Sequence, residues 1–220
     1  MPAPFAPPDP ADTDPRVIET MALGNVRINA IMDAESRMSI AAVFERGRGR
    51  PPVPVAELAD RYPEEFTRTD WRFRIRCFLV SAPDCVALVD AGAGPAEGHL
   101  GRLLCVEGRL MSSLSDLGVA PAHVQHVILT HAHDDHVGWA TRPRAGAYRP
   151  TFEQAAYHLH PADMALARRL AGSPAGYWER TFEPLLGSGL LSSRRMGSSS
   201  EPVSPSSTPP GTPLGTGAPG

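Results

Sequence analysis

Alternation of apolar and polar residues predicts the first strands of a sheet. Residues 26–32 alternate with a period of two, which is typical of a strand with one buried face. Residues 71–80 alternate and then become continuously apolar, as in a strand that enters a core. Cys85–Val89 is a further short apolar run, and residues 82–84 before it supply a hairpin turn. We therefore predict three strands, the last two joined by a hairpin.

A helical repeat follows, and it is succeeded by further strands. Apolar side chains recur at intervals of four, four and three residues, at Val106, Leu110, Leu114 and Leu117. This spacing predicts an amphipathic helix, and Gly118 supplies a stop signal. We expect strands over residues 124–129 and near 156–159, and a helix over about 162–170 that Pro161 opens. Strands followed by helices predict a layered α/β domain.

The two ends of the chain differ in composition from the segment between them. Residues 1–15 are rich in proline and aspartate, and 24 of the 33 residues in 188–220 are Ser, Gly, Pro or Thr. Segments with so few apolar residues bury too little surface to fold, so we expect a disordered leader and a disordered tail there. The folded domain is expected over residues 16–187.

Charge and hydropathy narrow the class of protein. The formal net charge is -3, without the basic surplus of a general nucleic-acid binder. No apolar run is long enough to cross a bilayer, and residues 1–15 lack the basic start and apolar core of a signal peptide. We therefore expect a cytoplasmic protein that binds neither nucleic acid nor membrane, with its oligomeric state left open.

Side chains that can bind metal ions are concentrated in the segment HAHDDH at residues 131–136, directly after a predicted strand. Residues two apart on an extended segment face the same way, so His131 and His133 are expected to bind one metal ion together. Asp135 and His136, at the turn beyond, are expected to bind a second. Imidazole nitrogen and carboxylate oxygen suit Zn²⁺, and a zinc pair readies a bridging water for attack on a carbonyl. The segment therefore predicts a hydrolytic metal centre.

This pattern resembles the H-x-H-x-D-H hallmark of the metallo-β-lactamase superfamily. Residues 88–92, LVDAG, are similar to that family's LVDTG strand end, and residues 137–139, VGW, are similar to the usual continuation. Within the superfamily, roughly residues 20–187 resemble the branch that contains N-acyl-homoserine lactone lactonases. The resemblance implies an α/β fold, the αββα sandwich, of which this chain would hold the N-terminal portion. It also implies a hydrolase whose partner is a small molecule with a lactone, ester or thioester carbonyl.

The resemblance implies roles for individual residues. His131 and His133 would be ligands of the first zinc ion, and Asp135 and His136 would be ligands of the second. Asp135 would also be catalytic, taking or delivering a proton as the ring or ester opens. Asp90 would lie near the metals as an outer group, although a tight turn explains an aspartate there equally well.

The chain departs from the family pattern after residue 160. The family has three further ligands, namely a histidine in a TPGHTPGH-like segment, a bridging aspartate and a late histidine, and no histidine follows His160 here. We expect a truncation or a change of reading frame near Leu191, and the alternative to a hydrolase is then a non-catalytic fragment with weak or no metal binding. His158 and His160 are interpreted as strand residues that pack or cap, and Asp134 receives no role. The remaining histidines are expected to be surface or packing residues: His99, His123 and His126.

Overall fold

One mixed sheet organises the chain in the computed structural model, which describes residues 5–6, 18–41, 54–172 and 176–192. The strands are β1 (Phe5–Ala6), β2 (Ile18–Leu23), β3 (Val26–Ser39), β4 (Asp70–Ala82), β5 (Cys85–Val89), β6 (His126–Ile128), β7 (Thr141–Arg144), β8 (Ala147–Pro150), β9 (Ala156–His158) and β10 (Leu191–Ser192). The helices are α1 (Val55–Arg61), α2 (His99–Leu104), α3 (Leu110–Asp116), α4 (Asp134–Val137), α5 (Pro161–Arg168) and α6 (Tyr177–Gly187), with a 3-10 turn at Pro121–His123.

Parallel pairing brings the segments after two central strands to the same edge of the sheet. Among the residues that the structure describes, the sheet has eight strands in the order β1-β3-β4-β5-β6-β9-β10, with β2 also paired to β3. Pairing from β2 through β5 is antiparallel, whereas β5, β6, β9 and β10 run parallel. Strands β7 and β8 form a separate hairpin. Because β5 and β6 are parallel neighbours, the loops that leave their carboxyl ends meet.

The predicted layered α/β domain is present, with several differences in its elements. The strands predicted over 26–32, 71–80 and 85–89 lie in β3, β4 and β5, and a hairpin joins the last two. The strands predicted near 124–129 and 156–159 are the shorter β6 and β9, and the helix opened by Pro161 is α5. The elements that were not predicted are β1, β2, α1, α2, the 3-10 turn, the β7–β8 hairpin, α6 and β10.

The helix predicted from Val106 to Leu117 is wrong at its start. Helix α2 ends at Cys105, whose φ of 54° is left-handed, and α3 begins only at Leu110. Val106 is buried in the cluster of Ala34 and Ile75, whereas Leu110 belongs to the main core. Val106 and Leu110 are therefore spaced like residues of one helix because both are buried, but Val106 lies in the loop between α2 and α3.

The core lies between one face of the sheet and the helices. Cys77 and Leu79 on β4 are at most 1% exposed, while Phe78 between them points to the opposite face and is 40% exposed. Residues from α3, α5 and α6 cover the buried face: Leu110, Leu114, Ala167, Trp178, Phe182 and Leu185. The sheet therefore presents one helix-covered face and one partly open face among the described residues.

The expectations about the chain ends fall largely outside the described residues. Of the predicted leader, only the backbone pair Phe5–Ala6 is described, and it pairs with β3. Residues 193–220 of the predicted tail lie outside the described residues, whereas Leu191–Ser192 forms β10 beside β9. No helix in the described ranges combines the length and the apolar character that crossing a membrane requires. Location in the cytoplasm stays a prediction.

Candidate metal centre

The HAHDDH segment leaves the carboxyl end of β6 and turns into a short helix. His133 occupies the position before α4 with an extended backbone, and α4 carries Asp134–Val137. The predicted turn after a strand is confirmed, but the predicted extended segment is not, since β6 ends at Ile128 and His131 and Ala132 lie in a bend.

Backbone hydrogen bonds fasten this segment to the loop after β5. The N–H of Ala91 donates to the carbonyl of His136, and the N–H of Trp139 donates to the carbonyl of Ala91, both at 2.7 Å. The N–H of Gly138 donates to the carbonyl of Gly92, also at 2.7 Å. The ligand-bearing turn is therefore held by main-chain contacts that do not depend on its own side chains.

Gly138 allows these two loops to approach each other. A Cβ atom at this position would lie 2.1 Å from the carbonyl carbon of Ala93 and 2.4 Å from the nitrogen of Gly94. Both neighbours are backbone atoms and have no side-chain freedom with which to move away. The glycine in the VGW segment is therefore required by packing.

A buried carboxylate on β3 supports the loop after β5. Asp33 is 0% exposed and lies at a bulge in the pairing of β3 with β4, between Met32 and Ala34. Its Oδ2 accepts the N–H of Ala93 and its Oδ1 accepts the N–H of Leu110, each at 2.7 Å. Burial raises the pKa of Asp33 to about 6, although these hydrogen bonds act in the opposite direction. Sequence reasoning missed this residue, and its signal was an acidic side chain directly after the apolar run Ala30–Met32.

Asp90 fixes the orientation of His136. Its Oδ2 lies 2.7 Å from Nδ1 of His136, and its carboxylate also accepts the N–H and the hydroxyl of Thr130 at 2.8–2.9 Å. Asp90 also has a φ of 60°, as a tight turn requires. Both interpretations of Asp90 therefore have an observation behind them: its carboxylate contacts His136, and its backbone forms a tight turn. Because Nδ1 of His136 is engaged, its Nε2 is the nitrogen that faces Asp135, with Oδ2 at 3.3 Å.

The imidazoles of the segment lie close together, as the sequence predicted. Nε2 of His131 lies 2.9 Å from Nδ1 of His133, and the ring centroids of His131 and His136 are 4.0 Å apart. Zinc–nitrogen bonds measure about 2.0–2.1 Å, so the nitrogens of His131 and His133 are close enough to share one ion. Polar contacts within the segment form two donor pairs, His131 with His133 and Asp135 with His136, and the contact between the rings of His131 and His136 joins them.

The two donor pairs differ in their electrostatics. Hydrogen bonding to Asp135, followed by that to Asp90, raises the pKa of His136 to about 9. The hydrogen bond from His136 in turn lowers the pKa of Asp135. Burial, followed by the charges of His136 and His133, lowers the pKa of His131. One pair is thus an ion pair in the metal-free chain, whereas His131 offers a neutral imidazole.

The donors fit zinc in their chemistry, and their number is small. Imidazole nitrogen and carboxylate oxygen are the ligand types that zinc takes, and the outer contact of Asp90 with His136 is the kind that orients a ligating histidine. Within the described ranges, however, no group of three or more His, Cys, Asp or Glu side chains is arranged to hold one ion. One ion would therefore contact at most two of the described donors, fewer than the three or four protein ligands of a complete zinc site.

Asp134, for which no role was predicted, contacts His99 at the start of α2. Its Oδ2 lies 3.4 Å from Nε2 of His99, and burial raises the pKa of Asp134. The hydroxyl of Tyr177 on α6 donates to the carbonyl of Ala132. A cavity of about 40 Å³ adjoins these groups, and its lining includes Gly138, Tyr148 and Arg180. These contacts need α2 and α6, neither of which was predicted.

The two histidines near β9 have different environments. Nδ1 of His160 accepts the N–H of Ala162 at 3.2 Å and caps α5, so the predicted capping role of this residue is confirmed. His158 lies on β9 itself, and its Nε2 is 3.1 Å from Nδ1 of His126 on β6.

A superfamily sequence model matches part of the chain, and several solved structures share its fold. A sequence model of the metallo-beta-lactamase superfamily matches residues 71–144, from β4 to β7, which include the whole HAHDDH segment. No curated protein sequence matches the chain. Among solved structures, the hydrolase AbOPH of the beta lactamase superfamily is 23% identical with a TM-score of 0.61, and the match covers 79% of this chain and 59% of that one.

Two further solved structures share the fold to the same degree. A probable metal-dependent hydrolase from Staphylococcus aureus is 20% identical with a TM-score of 0.61, and the match covers 78% of this chain and 59% of that one. AidC, described as a dizinc quorum-quenching lactonase in complex with a product, is 18% identical with a TM-score of 0.61, over 80% of this chain and 60% of that one.

These comparisons confirm the predicted resemblance and the predicted fold class. Residues 71–144 carry the sequence pattern of the metallo-β-lactamase superfamily, and the described chain has the fold of its hydrolases. At these identities the structural likeness establishes the fold rather than the reaction. The chain spans about three fifths of the length of the solved structures that it matches.

Proposed function

We propose that the chain is a metal-dependent hydrolase of small molecules that contain a lactone, ester or thioester carbonyl. The observation that carries this proposal is the gathering of His131, His133 and His136 beside Asp135, on a turn that backbone hydrogen bonds clamp to the loop after β5. The superfamily match over the same segment supports it. AidC, which is described as bound to a product, makes lactones the first substrates to test.

The two donor pairs define how a metal would be held. His131 and His133 would hold a first zinc ion, and Asp135 with His136 would hold a second. Bound zinc supplies a water that ionises near neutral pH and a positive charge for the carbonyl oxygen. A histidine that binds metal must be neutral, so His136 would release the proton that Asp135 and Asp90 stabilise on it.

The side chains of the centre have distinct tasks in this proposal. Asp90 holds Nδ1 of His136 and so keeps Nε2 directed towards Asp135. The carboxylate of Asp135 is 42% exposed, so an oxygen of this group is accessible to a substrate. We infer that Asp135 accepts a proton from the attacking water and returns it to the leaving oxygen.

The proposal is tested by measuring zinc content and hydrolysis in the same preparations. We expect the chain to bind zinc and to open acyl-homoserine lactones or cleave aryl esters, and His131→Gln with His133→Gln to abolish both properties. His123→Gln is the matched control, because His123 is exposed on the 3-10 turn and outside both donor pairs. A folded chain that holds no zinc and turns over none of these substrates would contradict the proposal.

A second candidate is a non-catalytic chain that binds metal weakly or not at all. The observation that favours it is that no three donors among the described residues are arranged around one ion. Zinc titration separates the two candidates, because a hydrolase requires saturation at low zinc together with turnover. Circular dichroism melts with and without zinc provide a second readout, since metal that binds the folded state raises the melting temperature.

A further inference from the structure

Two histidines outside the HAHDDH segment face each other on adjacent strands. His126 begins β6 and His158 ends β9, and these two strands pair in parallel. Nδ1 of His126 lies 3.1 Å from Nε2 of His158, and their ring centroids are 5.2 Å apart. The residues are 32 positions apart in sequence, so the fold rather than local sequence brings them together.

Both side chains lie on the sheet face opposite the helices. Val127 and Tyr157, which neighbour them on β6 and β9, are 0% exposed within the helix-covered core. Successive side chains of a strand alternate between faces, so His126 and His158 point to the other face. Both are half-buried there, which leaves part of each ring accessible to an ion from solvent.

We propose that His126 and His158 form a second binding site for a divalent transition-metal ion, separate from the HAHDDH segment. With metal–nitrogen bonds of about 2.0–2.1 Å, nitrogens 3.1 Å apart subtend an angle of about 98° at a shared ion. This angle lies between the right angle of a tetragonal copper site and the tetrahedral angle of zinc. Binding exchanges the hydrogen bond for two coordinate bonds: the ring that donates the hydrogen bond moves its proton to its other nitrogen, and small ring rotations direct both lone pairs at the ion.

The sheet holds the two imidazoles at this separation. The N–H of Leu129 donates to the carbonyl of His158 at 2.9 Å, and the N–H of Ala156 donates to the carbonyl of Gln125 at 2.8 Å. These bonds join β6 and β9 on either side of the histidine pair. Binding therefore orders two side chains on a fixed backbone, and this lowers the entropy cost of chelation.

The donor set determines which ions the site takes. Two imidazole nitrogens favour Cu²⁺, Ni²⁺ and Zn²⁺ over Mg²⁺ and Ca²⁺, which take oxygen ligands. Among first-row divalent ions the affinity is greatest for Cu²⁺, so Cu²⁺ is the probe for this site. Water would complete the coordination, and the ion would cross-link β6 to β9.

The experiment measures Cu²⁺ binding after the ligands of the first site are removed. In a chain with His131→Gln, His133→Gln and His136→Gln, which lacks every imidazole of the HAHDDH segment, we expect one Cu²⁺ to bind with an electron paramagnetic resonance spectrum of two nitrogen ligands. Adding His158→Gln or His126→Gln should lower the affinity at least about tenfold. Adding His123→Gln, a change at an exposed histidine near β6, should leave it unchanged.

Three outcomes would overturn the proposal: no Cu²⁺ bound in the His131/His133/His136 variant, no loss of affinity with His158→Gln, or an equal loss with His123→Gln. If circular dichroism shows that the chain without the HAHDDH imidazoles does not fold, the unmodified chain is titrated instead. His158→Gln alone must then remove one bound Cu²⁺ per chain, and an unchanged stoichiometry counts against the site.

Discussion

The scaffold beneath the candidate centre and the ligand cluster above it are held by different forces. The scaffold consists of Asp33, residues 90–94 and Gly138, which are joined by buried hydrogen bonds and by backbone atoms in direct contact. The cluster consists of His131, His133, Asp135 and His136, whose partly exposed side chains contact one another. Changes in the scaffold should therefore destabilise the fold, whereas changes in the cluster should affect ligand binding.

The largest effect is expected at the loop contact of the scaffold. Gly138→Ala places a methyl group 2.1 Å from the carbonyl carbon of Ala93, so one of the two loops must move. We expect the free energy of unfolding to fall by about 3 kcal/mol, measured by urea denaturation. Gly187→Ala is the control, because a Cβ there meets no atom within 4 Å. An equal, small effect of both substitutions would show that the loops are not in tight contact.

The next effect is a pH dependence of stability that arises from Asp33. Its pKa is raised from 3.8 to about 6, so the folded chain holds this proton more tightly than the unfolded chain does. The stability that Asp33 contributes is therefore present below about pH 4 and is lost as pH rises through about 6. We expect the stability of the unmodified chain relative to Asp33→Asn to fall by about 2 kcal/mol between pH 4 and 7.

The control for Asp33 is an exposed carboxylate under the same conditions. Asp60 on α1 has a side chain that is 73% exposed, so Asp60→Asn should leave the pH dependence of unfolding unchanged. If the difference between the unmodified chain and Asp33→Asn stays constant with pH, Asp33 does not titrate in this range.

A smaller effect on stability is expected where the scaffold meets the cluster. Asp90→Asn keeps the shape of the side chain but removes the charge that faces His136 and Thr130. We expect a loss of about 1 kcal/mol in stability and a loss of about 10- to 100-fold in zinc affinity. Asp84→Asn in the exposed hairpin turn is the control, and equal zinc affinities for the two variants would refute the orienting role of Asp90.

The smallest effect on stability is expected within the cluster. His131→Gln removes a half-buried ring whose main partner is His133, so the unfolding free energy should change by less than about 0.5 kcal/mol. Zinc affinity should nevertheless fall at least about tenfold if the proposed metal centre is correct. If His131→Gln unfolds the chain, or if it leaves zinc affinity unchanged, the cluster does not differ from the scaffold in the expected way.

Prediction from sequence succeeded where one local pattern determines the outcome. The alternation in β3, β4 and β5 and the HAHDDH segment were found because each depends on residues within one strand or turn. It failed where a contact joins distant segments, as for Asp33 with Ala93 and Leu110. The helix predicted from Val106 was wrong at its start for a related reason. The spacing of apolar residues indicates which residues are buried, but it does not indicate that a loop continues up to Leu110.

The sequence by itself determined the class of fold, the strand that leads to the candidate centre and the identity of its four proposed ligands, because these follow from short-range periodicity and residue chemistry. Tertiary structure alone decided that Asp90 orients His136, that Gly138 must lack a side chain and that His126 meets His158. Each of these depends on parallel strands and loops that approach from distant parts of the chain, and local patterns do not encode such distances.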